Sequence, residues 1–129
     1  MPEFRRDPSG LSHTVRRDVD VSMTAAAVGS GDMEVLATPC MILLMELAAR
    51  KAVAETLDPG WTTVGTSVEV SHLAPTPAGE PVSATATVRR VVGSRIEFDV
   101  EARNGDTVIG RGSHTRAAVL AERFCPSTE

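Results

Sequence analysis

The chain has 129 residues, of which 42% are hydrophobic and 23% charged, a length and balance that suit one globular domain. Its formal net charge of −4 argues against nucleic acid as a partner, because nucleic-acid-binding proteins usually carry a basic surface. Aromatic residues make up only 3% of the chain, which leaves few rings for stacking bases. No apolar stretch approaches the roughly 20 residues that cross a membrane, so we expect no membrane partner.

Cysteine usage indicates the compartment. Cys40 lies in an apolar run and Cys125 in a polar tail, and no C-x-x-C or Cys/His cluster is present. We therefore expect neither a disulfide framework nor a metal site, and a reducing, cytoplasmic setting. The N-terminal residues contain no apolar core of signal-peptide length.

Before the long helix, the sequence predicts one strand and one short helical turn. We expect one domain over residues 1–129, with flexible tails at 1–10 and 125–129. Residues 12–21, SHTVRRDVDV, predict a first strand. Residues 22–37 contain small residues and glycines, and they predict a loop with a short helical turn.

The segment TPCMILLMELAARKAVAETLDPG predicts the single long helix. The Thr38 hydroxyl suits the cap and Pro39 the first helical position, and Asp58-Pro59-Gly60 ends the helix. From Cys40 to Ala49 every residue is apolar except Glu46. A helix that is apolar on all sides is buried, so this one needs cover on most of its surface.

The rest of the chain predicts four antiparallel strands in a meander, joined by turns at PTPAGE, GS and NGD. Alternation places three sets of residues on inward faces: Val64, Thr66, Val68, Val70 and His72; Val82, Ala84, Ala86 and Val88; Ile96, Phe98, Val100 and Ala102. One strand, one buried helix and four strands predict an α+β hot-dog fold, in which an antiparallel sheet of about five strands wraps around one long central helix. A cystatin-like sheet over a helix is the alternative. The strongly apolar helix favours wrapping, and it also favours a dimer.

A few polar residues on these inward faces are candidates for chemistry. Glu46 is a carboxylate on a buried helix, where an unpaired charge costs several kcal/mol, so it should be paired, hydrogen-bonded or protonated. It is also a candidate general base or nucleophile. His72 ends an inward strand face, and a histidine titrates near neutral pH. Thr38 stands at a helix start, where backbone N–H groups stabilise negative charge. His114 and Arg116 share one face of the last strand.

Each candidate also has a simpler explanation. The Glu46 head can reach solvent, His72 can be a satisfied residue at the rim of the core, and Thr38 can be a cap only. The last strand can be an ordinary surface strand, although an arginine there could equally meet a carboxylate or a phosphate.

Residues 34–124 resemble the fluoroacetyl-CoA thioesterase family of hot-dog proteins, on the motifs A-T-x-x-x-x-x-x-M-E, L-x-P-G, G-T-x-x-x-V-x-H, T-P-x-G and I-G-x-G-[ST]-H-x-R. The resemblance implies that Thr38, Glu46 and His72 are catalytic and that Gly65 and Arg116 help to hold the acyl group. It implies hydrolysis of an acyl-CoA thioester to a carboxylate and CoA, without a metal or other cofactor. It also implies a homodimer with active sites at the subunit interface, and leaves open whether dimers pair into tetramers.

Two departures from the family bear on the substrate. The family's selectivity for fluoroacetyl-CoA depends on an aromatic lid before the helix, whereas residues 26–37, AAVGSGDMEVLA, contain no aromatic residue. Pro39 follows Thr38 where the fluoroacetyl enzyme has a glycine, and it removes one backbone donor. We therefore expect another small or medium acyl group.

The spacing of the candidates raises a question of geometry. Thr38 and Glu46 are eight residues apart, about 12 Å along one helix, so a direct bond within one chain is not expected. Either a partner subunit brings one of them closer, or the two touch different parts of the substrate.

Two other functions remain open on the same fold. The first alternative is a non-catalytic acyl-CoA-binding protein. An enoyl-CoA hydratase ranks third, because no D-x-x-x-x-H motif occurs at 31–45.

Overall fold

The long helix begins one residue earlier than a cap at Thr38 would require. In the computed structural model, which describes residues 4–125, helix α2 runs over Thr38–Val53. Ala37 is the capping residue, in an extended conformation and without a side-chain hydrogen bond. The prediction that Thr38 caps the helix is therefore wrong by one position: Thr38 is the first helical residue and Pro39 the second. The Thr38 hydroxyl is left free for another partner.

The end of α2 also differs from the prediction. The α-helix stops at Val53, and a 3-10 turn over Ala54–Thr56 follows, in which the Thr56 hydroxyl donates to the Val53 carbonyl at 2.7 Å. Short helices elsewhere are a 3-10 turn at Val21–Met23, α1 at Ala25–Val28 and α3 at Ala121–Phe124. Among residues 4–125, none of the helices is long and apolar enough to cross a membrane.

The ends of the chain lie partly outside the described residues, namely 1–3 and 126–129 of the predicted tails. The part of the N-terminal segment that is described contacts the end of the helical region. Phe4 forms a bridge with Leu57, and the Arg5 N–H donates to the Thr56 carbonyl at 2.8 Å.

Five antiparallel strands form one sheet in the order β1-β3-β4-β5-β2. The strands are β1 (Ser12–Asp18), β2 (Trp61–His72), β3 (Pro81–Val92), β4 (Arg95–Asn104) and β5 (Thr107–Leu120). The two hairpin turns are confirmed at Gly93-Ser94 and Gly105-Asp106, where each glycine has a positive φ. The predicted α+β fold, with five strands around one central helix, is likewise confirmed.

The predicted meander is correct only for β3, β4 and β5. Strand β2 pairs with β5 at the far edge of the sheet, so β2 and β3 are not neighbours. The proline-rich segment 73–80 instead carries the chain past the start of α2, where the Leu36 N–H donates to the Thr76 carbonyl at 2.8 Å. A connection of this length does not restrict the next strand to an adjacent position, as a two-residue turn does.

The core lies between α2 and the concave face of the sheet. The buried residues of α2 are Met41, Leu44, Met45, Ala48, Ala49 and Val53. The inward faces predicted for β3 and β4 are confirmed, since their members are all buried: Val82, Ala84, Ala86, Val88, Ile96, Phe98, Val100 and Ala102. One part of α2 remains open, because Leu43 is 61% exposed.

A bulge in β2 changes which of its residues face the helix. Thr66 has no register partner between Gly65, opposite Arg116, and Ser67, opposite Thr115. One extra residue reverses the alternation, so Val64 and Thr66 do not share a face with Val68, Val70 and His72, and that prediction is wrong for its first two members. The residue that faces α2 at this level is Gly65.

Candidate active site

The Glu46 carboxylate lies above the sheet where β2 meets β5. Its Oε2 atom is 3.3 Å from Arg116 Nη1 and 3.9 Å from His114 Nε2. The Glu46 side chain is 38% exposed, so one side of the carboxylate remains open to solvent. The expectation that this charge is paired is met by an arginine from the last strand.

Arg116 is buried, and almost every direction of its guanidinium has a partner. Its Nε donates to Thr63 Oγ1 at 2.9 Å and its Nη2 donates to the Thr63 carbonyl at 3.0 Å. Its Nη1 faces Glu46 and also His114 Nε2, at 3.2 Å. Burial lowers the pKa of Arg116, and the Glu46 carboxylate opposes that shift. The hydrogen bonds offset the loss of water around a buried cation.

Gly65 provides the space that the carboxylate occupies. A Cβ atom at this position would lie 2.5 Å from Glu46 Oε2, 3.2 Å from His114 Cε1 and 3.4 Å from Arg116 Nη1. Any side chain here would displace the Glu46 head. The glycine is thus required by the close approach of three polar side chains.

Thr38 and His72 form a second cluster at the start of α2. Thr38 Oγ1 lies 2.7 Å from His72 Nδ1, which gives the free hydroxyl of the first helical residue its partner. The Nε2 atom of His72 is buried and has no hydrogen-bond partner among the described residues. Burial lowers the pKa of His72, which favours the neutral ring.

A cleft of about 310 Å³ adjoins this second cluster. Thr38 and His72 form part of its wall, and the remaining lining is mostly apolar: Ala25, Ser30, Val35, Leu36, Leu73, Ala74 and Pro75.

The structure therefore brings the predicted site residues together in two groups. One holds Glu46, Arg116 and Gly65, and the other holds Thr38 and His72. Within the part of the chain that the structure describes, neither Thr38 nor His72 hydrogen-bonds to Glu46, and for Thr38 the spacing along α2 predicted this. The described residues include no group of three or more His, Cys, Asp or Glu side chains placed to hold a metal ion.

Sequence reasoning assigned no role to two residues that shape the first group. Thr63 anchors Arg116, and His114 is 2% exposed beside Glu46. The surface-strand explanation of β5 is wrong, because His114 and Arg116 are both buried. Their alternate spacing on one strand placed them on a common face, but only the neighbouring strand and helix determine that this face is inward.

A family match and a sequence relative point to the same group of proteins. Residues 19–122 match the family of fluoroacetyl-CoA-specific thioesterases, FlK. A fluoroacetyl-CoA thioesterase from Streptantibioticus cattleyicolor is 44% identical over 91 residues, which span 70% of this chain and 66% of that protein.

Solved structures agree with the family match. A crystal structure of an FlK variant in complex with fluoroacetate and CoA superposes with a TM-score of 0.85 at 36% identity, over 91% of this chain and 98% of that chain. A thioesterase superfamily member from Thermus thermophilus superposes with a TM-score of 0.85 at 30% identity, over 93% of this chain and 89% of its own. The predicted hot-dog fold and the family resemblance are confirmed.

The two buried histidines predict how stability depends on pH. Because burial lowers the pKa of both His72 and His114, the unfolded chain binds more protons than the folded chain just below the ordinary value of 6.5. The free energy of unfolding should therefore fall as the pH is lowered through 6.5, and it should level off below the folded-state pKa values.

Denaturant unfolding between about pH 8 and pH 5 measures this dependence. His72→Asn and His114→Asn should each make the loss of stability on acidification shallower. His13→Asn, which removes an exposed histidine of β1, is the matched control. A slope that neither site variant changes would contradict the assignment.

Proposed function

This chain belongs to the fluoroacetyl-CoA-specific thioesterase family, and we propose that it hydrolyses an acyl-CoA thioester to a carboxylate and CoA. The observation that carries this proposal is the placement of Glu46. It is a carboxylate on an apolar helix, held by Arg116 above a residue without a side chain, and still open to solvent on one side. A group in this position can reach a substrate carbonyl while keeping its charge.

Glu46 begins the reaction in either of two ways. It attacks the thioester carbonyl and forms a mixed anhydride, which water then hydrolyses, or it removes a proton from a water that attacks in its place. Both routes need an ionised carboxylate. In the homodimer proposed below, the dipole at the start of the partner subunit's α2 stabilises the negative charge that develops on the carbonyl oxygen.

His72 stabilises the leaving group through a hydrogen bond. When the Thr38 hydroxyl donates to Nδ1, the neutral ring carries its proton on Nε2, which is the atom without a partner. That N–H donates a hydrogen bond to the departing CoA sulfur as the carbon–sulfur bond breaks, and the thiolate then takes its proton from solvent. Thr38 therefore positions the ring, and no cofactor is needed for any step.

The cleft beside Thr38 and His72 suits the acyl chain. It holds about 310 Å³ and carries no ionisable side chain apart from His72, so it favours an uncharged aliphatic acyl group over a dicarboxylic one. Segment 26–37, which forms part of its wall, has no aromatic residue to close it around a two-carbon group. We therefore expect small to medium acyl groups rather than selectivity for fluoroacetyl-CoA.

A homodimer would unite the two groups of site residues. β2 is an edge strand with an exposed Val68, and the adjoining helix has an exposed Leu43. If β2 pairs with its own copy about a twofold axis near Val68, Gly65 comes opposite the partner subunit's His72. An axis midway between Thr38 and Glu46 passes near Ile42, beside the exposed Leu43. Strand β2 and helix α2 thus favour the same twofold axis. This axis would place Glu46 of one subunit near the partner's Thr38 and His72.

The cysteines fit the proposed cytoplasmic setting. Cys40 is half-buried and Cys125 is exposed, and neither forms a disulfide. Free thiols are the usual state in a reducing compartment.

Glu46→Gln and His72→Ala should each lower turnover by about a hundredfold or more while leaving the fold intact. Glutamine keeps the shape of Glu46 and can still accept from Arg116, but it can neither attack nor remove a proton. Thiol release from a panel of acyl-CoAs measures turnover, with Glu55→Gln and His13→Ala as exposed controls. Unchanged turnover in either site variant would refute its role, and no release by the wild type would indicate a binding protein instead.

Chain length should affect turnover through the cleft. Each buried methylene contributes about 0.8 kcal/mol, so kcat/KM should rise roughly three- to fourfold per added carbon until the cleft is full. Ser30→Leu, which narrows the cleft, should move the optimum to shorter chains, whereas Asp32→Leu in the same loop should not. A wild-type optimum at a two-carbon acyl group would contradict this use of the cleft.

Hybrid dimers test the shared site. A dimer of one Glu46→Gln chain and one His72→Ala chain, co-expressed with two tags and purified by both, contains one intact site if Glu46 and His72 come from different subunits. Such a hybrid should show about half of the wild-type activity, although each parent dimer is nearly inactive. If both residues act within one chain, the hybrid has no intact site and stays inactive.

A further inference from the structure

His114 is a buried titratable residue that the proposed reaction does not use. We propose that His114 is a positioning residue: as a neutral hydrogen-bond acceptor it aims Arg116 at Glu46, and its protonation transfers Glu46 from Arg116 to the imidazolium and so inactivates the site. The inference rests on the proposed function for its kinetic consequences, while the geometry of the pair stands independently of it.

The partners of His114 determine its tautomer. Nδ1 lies 2.8 Å from the Ser67 carbonyl oxygen, and a carbonyl oxygen only accepts, so Nδ1 carries the proton. Nε2 lies 3.2 Å from Arg116 Nη1, and a guanidinium nitrogen only donates, so Nε2 offers its lone pair. Both contacts are satisfied by one neutral ring with its proton on Nδ1.

Two features of the fold keep the ring in this orientation: the stacked ring of Phe98 and the bulge in β2. The Phe98 ring stacks against it, with centroids 5.9 Å apart and planes inclined by 26°. The Ser67 acceptor directly follows the bulge at Thr66, which reverses the alternation of β2 at this level. The ring therefore cannot turn to exchange its nitrogen atoms without losing both hydrogen bonds.

The contact between His114 and Arg116 completes the positioning of the guanidinium. Thr63 holds the Nε and Nη2 side, and Nη1 is left to Glu46 and His114. Without an acceptor at His114, the Nη1 end would rest on a half-exposed carboxylate 3.3 Å away and on nothing buried. His114 thus supplies the buried acceptor that directs this end of Arg116.

Protonation would reverse the role of His114. A second N–H at Nε2 would face the Arg116 N–H across 3.2 Å, with like charges on both groups. Glu46 Oε2, now 3.9 Å from Nε2, would become the natural partner of the imidazolium. A carboxylate that accepts a hydrogen bond from the imidazolium has fewer lone pairs free for a substrate or a water.

Among the described residues, the charged side chains that act on His114 lie on α2 and β5. Glu46 of α2 favours its protonation and Arg116 of β5 opposes it, and Arg50 of α2 acts on Arg116. Phe98 of β4 and the Ser67 carbonyl of β2 bring no ionisable group. Burial is the largest influence and lowers the pKa of His114, so the neutral ring is the working form near neutral pH.

Two variants separate positioning from packing. His114→Gln keeps a non-titrating oxygen acceptor for Arg116, whereas His114→Phe keeps a ring against Phe98 but offers no acceptor. We expect His114→Phe to lower kcat about tenfold or more with little change in KM, and His114→Gln to keep most of kcat at neutral pH. In His114→Gln the acid limb of the kcat profile should move to lower pH and become less steep, because one titrating group is gone.

The opposite results would overturn the inference. It fails if His114→Gln retains the wild-type acid limb, or if both variants lose activity only in proportion to lost stability, as a packing role requires. His13→Gln is the control for the removal of an exposed histidine.

Nitrogen-15 NMR of the histidine rings provides a readout that needs no substrate. The wild type should show the His114 proton on Nδ1 at neutral pH, and acidification should broaden or shift the Arg116 side-chain signals together with His114 titration. A proton on Nε2 would refute the inference even in an active enzyme. Absence of thioesterase activity with the expected NMR result would refute the proposed function and leave the positioning role established.

Discussion

The burial of α2 is the constraint on which the remaining structure depends. Six of its side chains are buried, and a fully buried Leu or Met contributes about 1.5–3 kcal/mol, so their sum exceeds the several kcal/mol that one charged group in the same helix costs. The apolar face therefore determines where the helix lies, and Glu46 must find its partner at that location. The sheet adapts to the helix by presenting alanines at Ala84, Ala86 and Ala102, which let the helix backbone approach. What the sheet leaves open is the side with Leu43.

Arg116 shows how a charge can be kept inside this core. Buried ion pairs are often no more stable than apolar replacements, because desolvation offsets the Coulomb attraction. Here the carboxylate is partly in water, which weakens the attraction, and neutral acceptors on Thr63 and His114 add to the compensation for Arg116. The arginine is held from several directions, whereas the Glu46 carboxylate makes a single hydrogen bond among the described residues, to Arg116 at 3.3 Å. A carboxylate held in this way keeps lone pairs free for a substrate.

The sequence predicted β3 and β4 well, because their alternating residues and their tight turns are both local features. Alternation identified the inward faces of β3 and β4, and the tight turns at Gly93 and Gly105 pair β3 with β4 and β4 with β5. The bulge at Thr66 has no such signal, since threonine is an ordinary strand residue, and the error placed Val64 on the wrong face. The partner of β2 could not be predicted either, because it depends on how the chain passes α2. Glu46 and His72 were visible as polar residues on apolar faces, but the role of His114 depends on contacts from β2, β4 and α2 together.

The division of the site follows from the same helix. Thr38 and Glu46 lie on one rigid element, so no rearrangement of loops within one chain can shorten the roughly 12 Å between them. A twofold axis can do so, because it sets each helix antiparallel to its copy and brings the start of one beside the middle of the other. Under the proposed dimer, the eight-residue spacing determines where the axis must cross α2, and the exposed Leu43 lies next to that point. In the proposed dimer, the open side that the sheet does not cover is the surface that completes the catalytic group, so one helix supplies both the buried core and the contact that assembles the site.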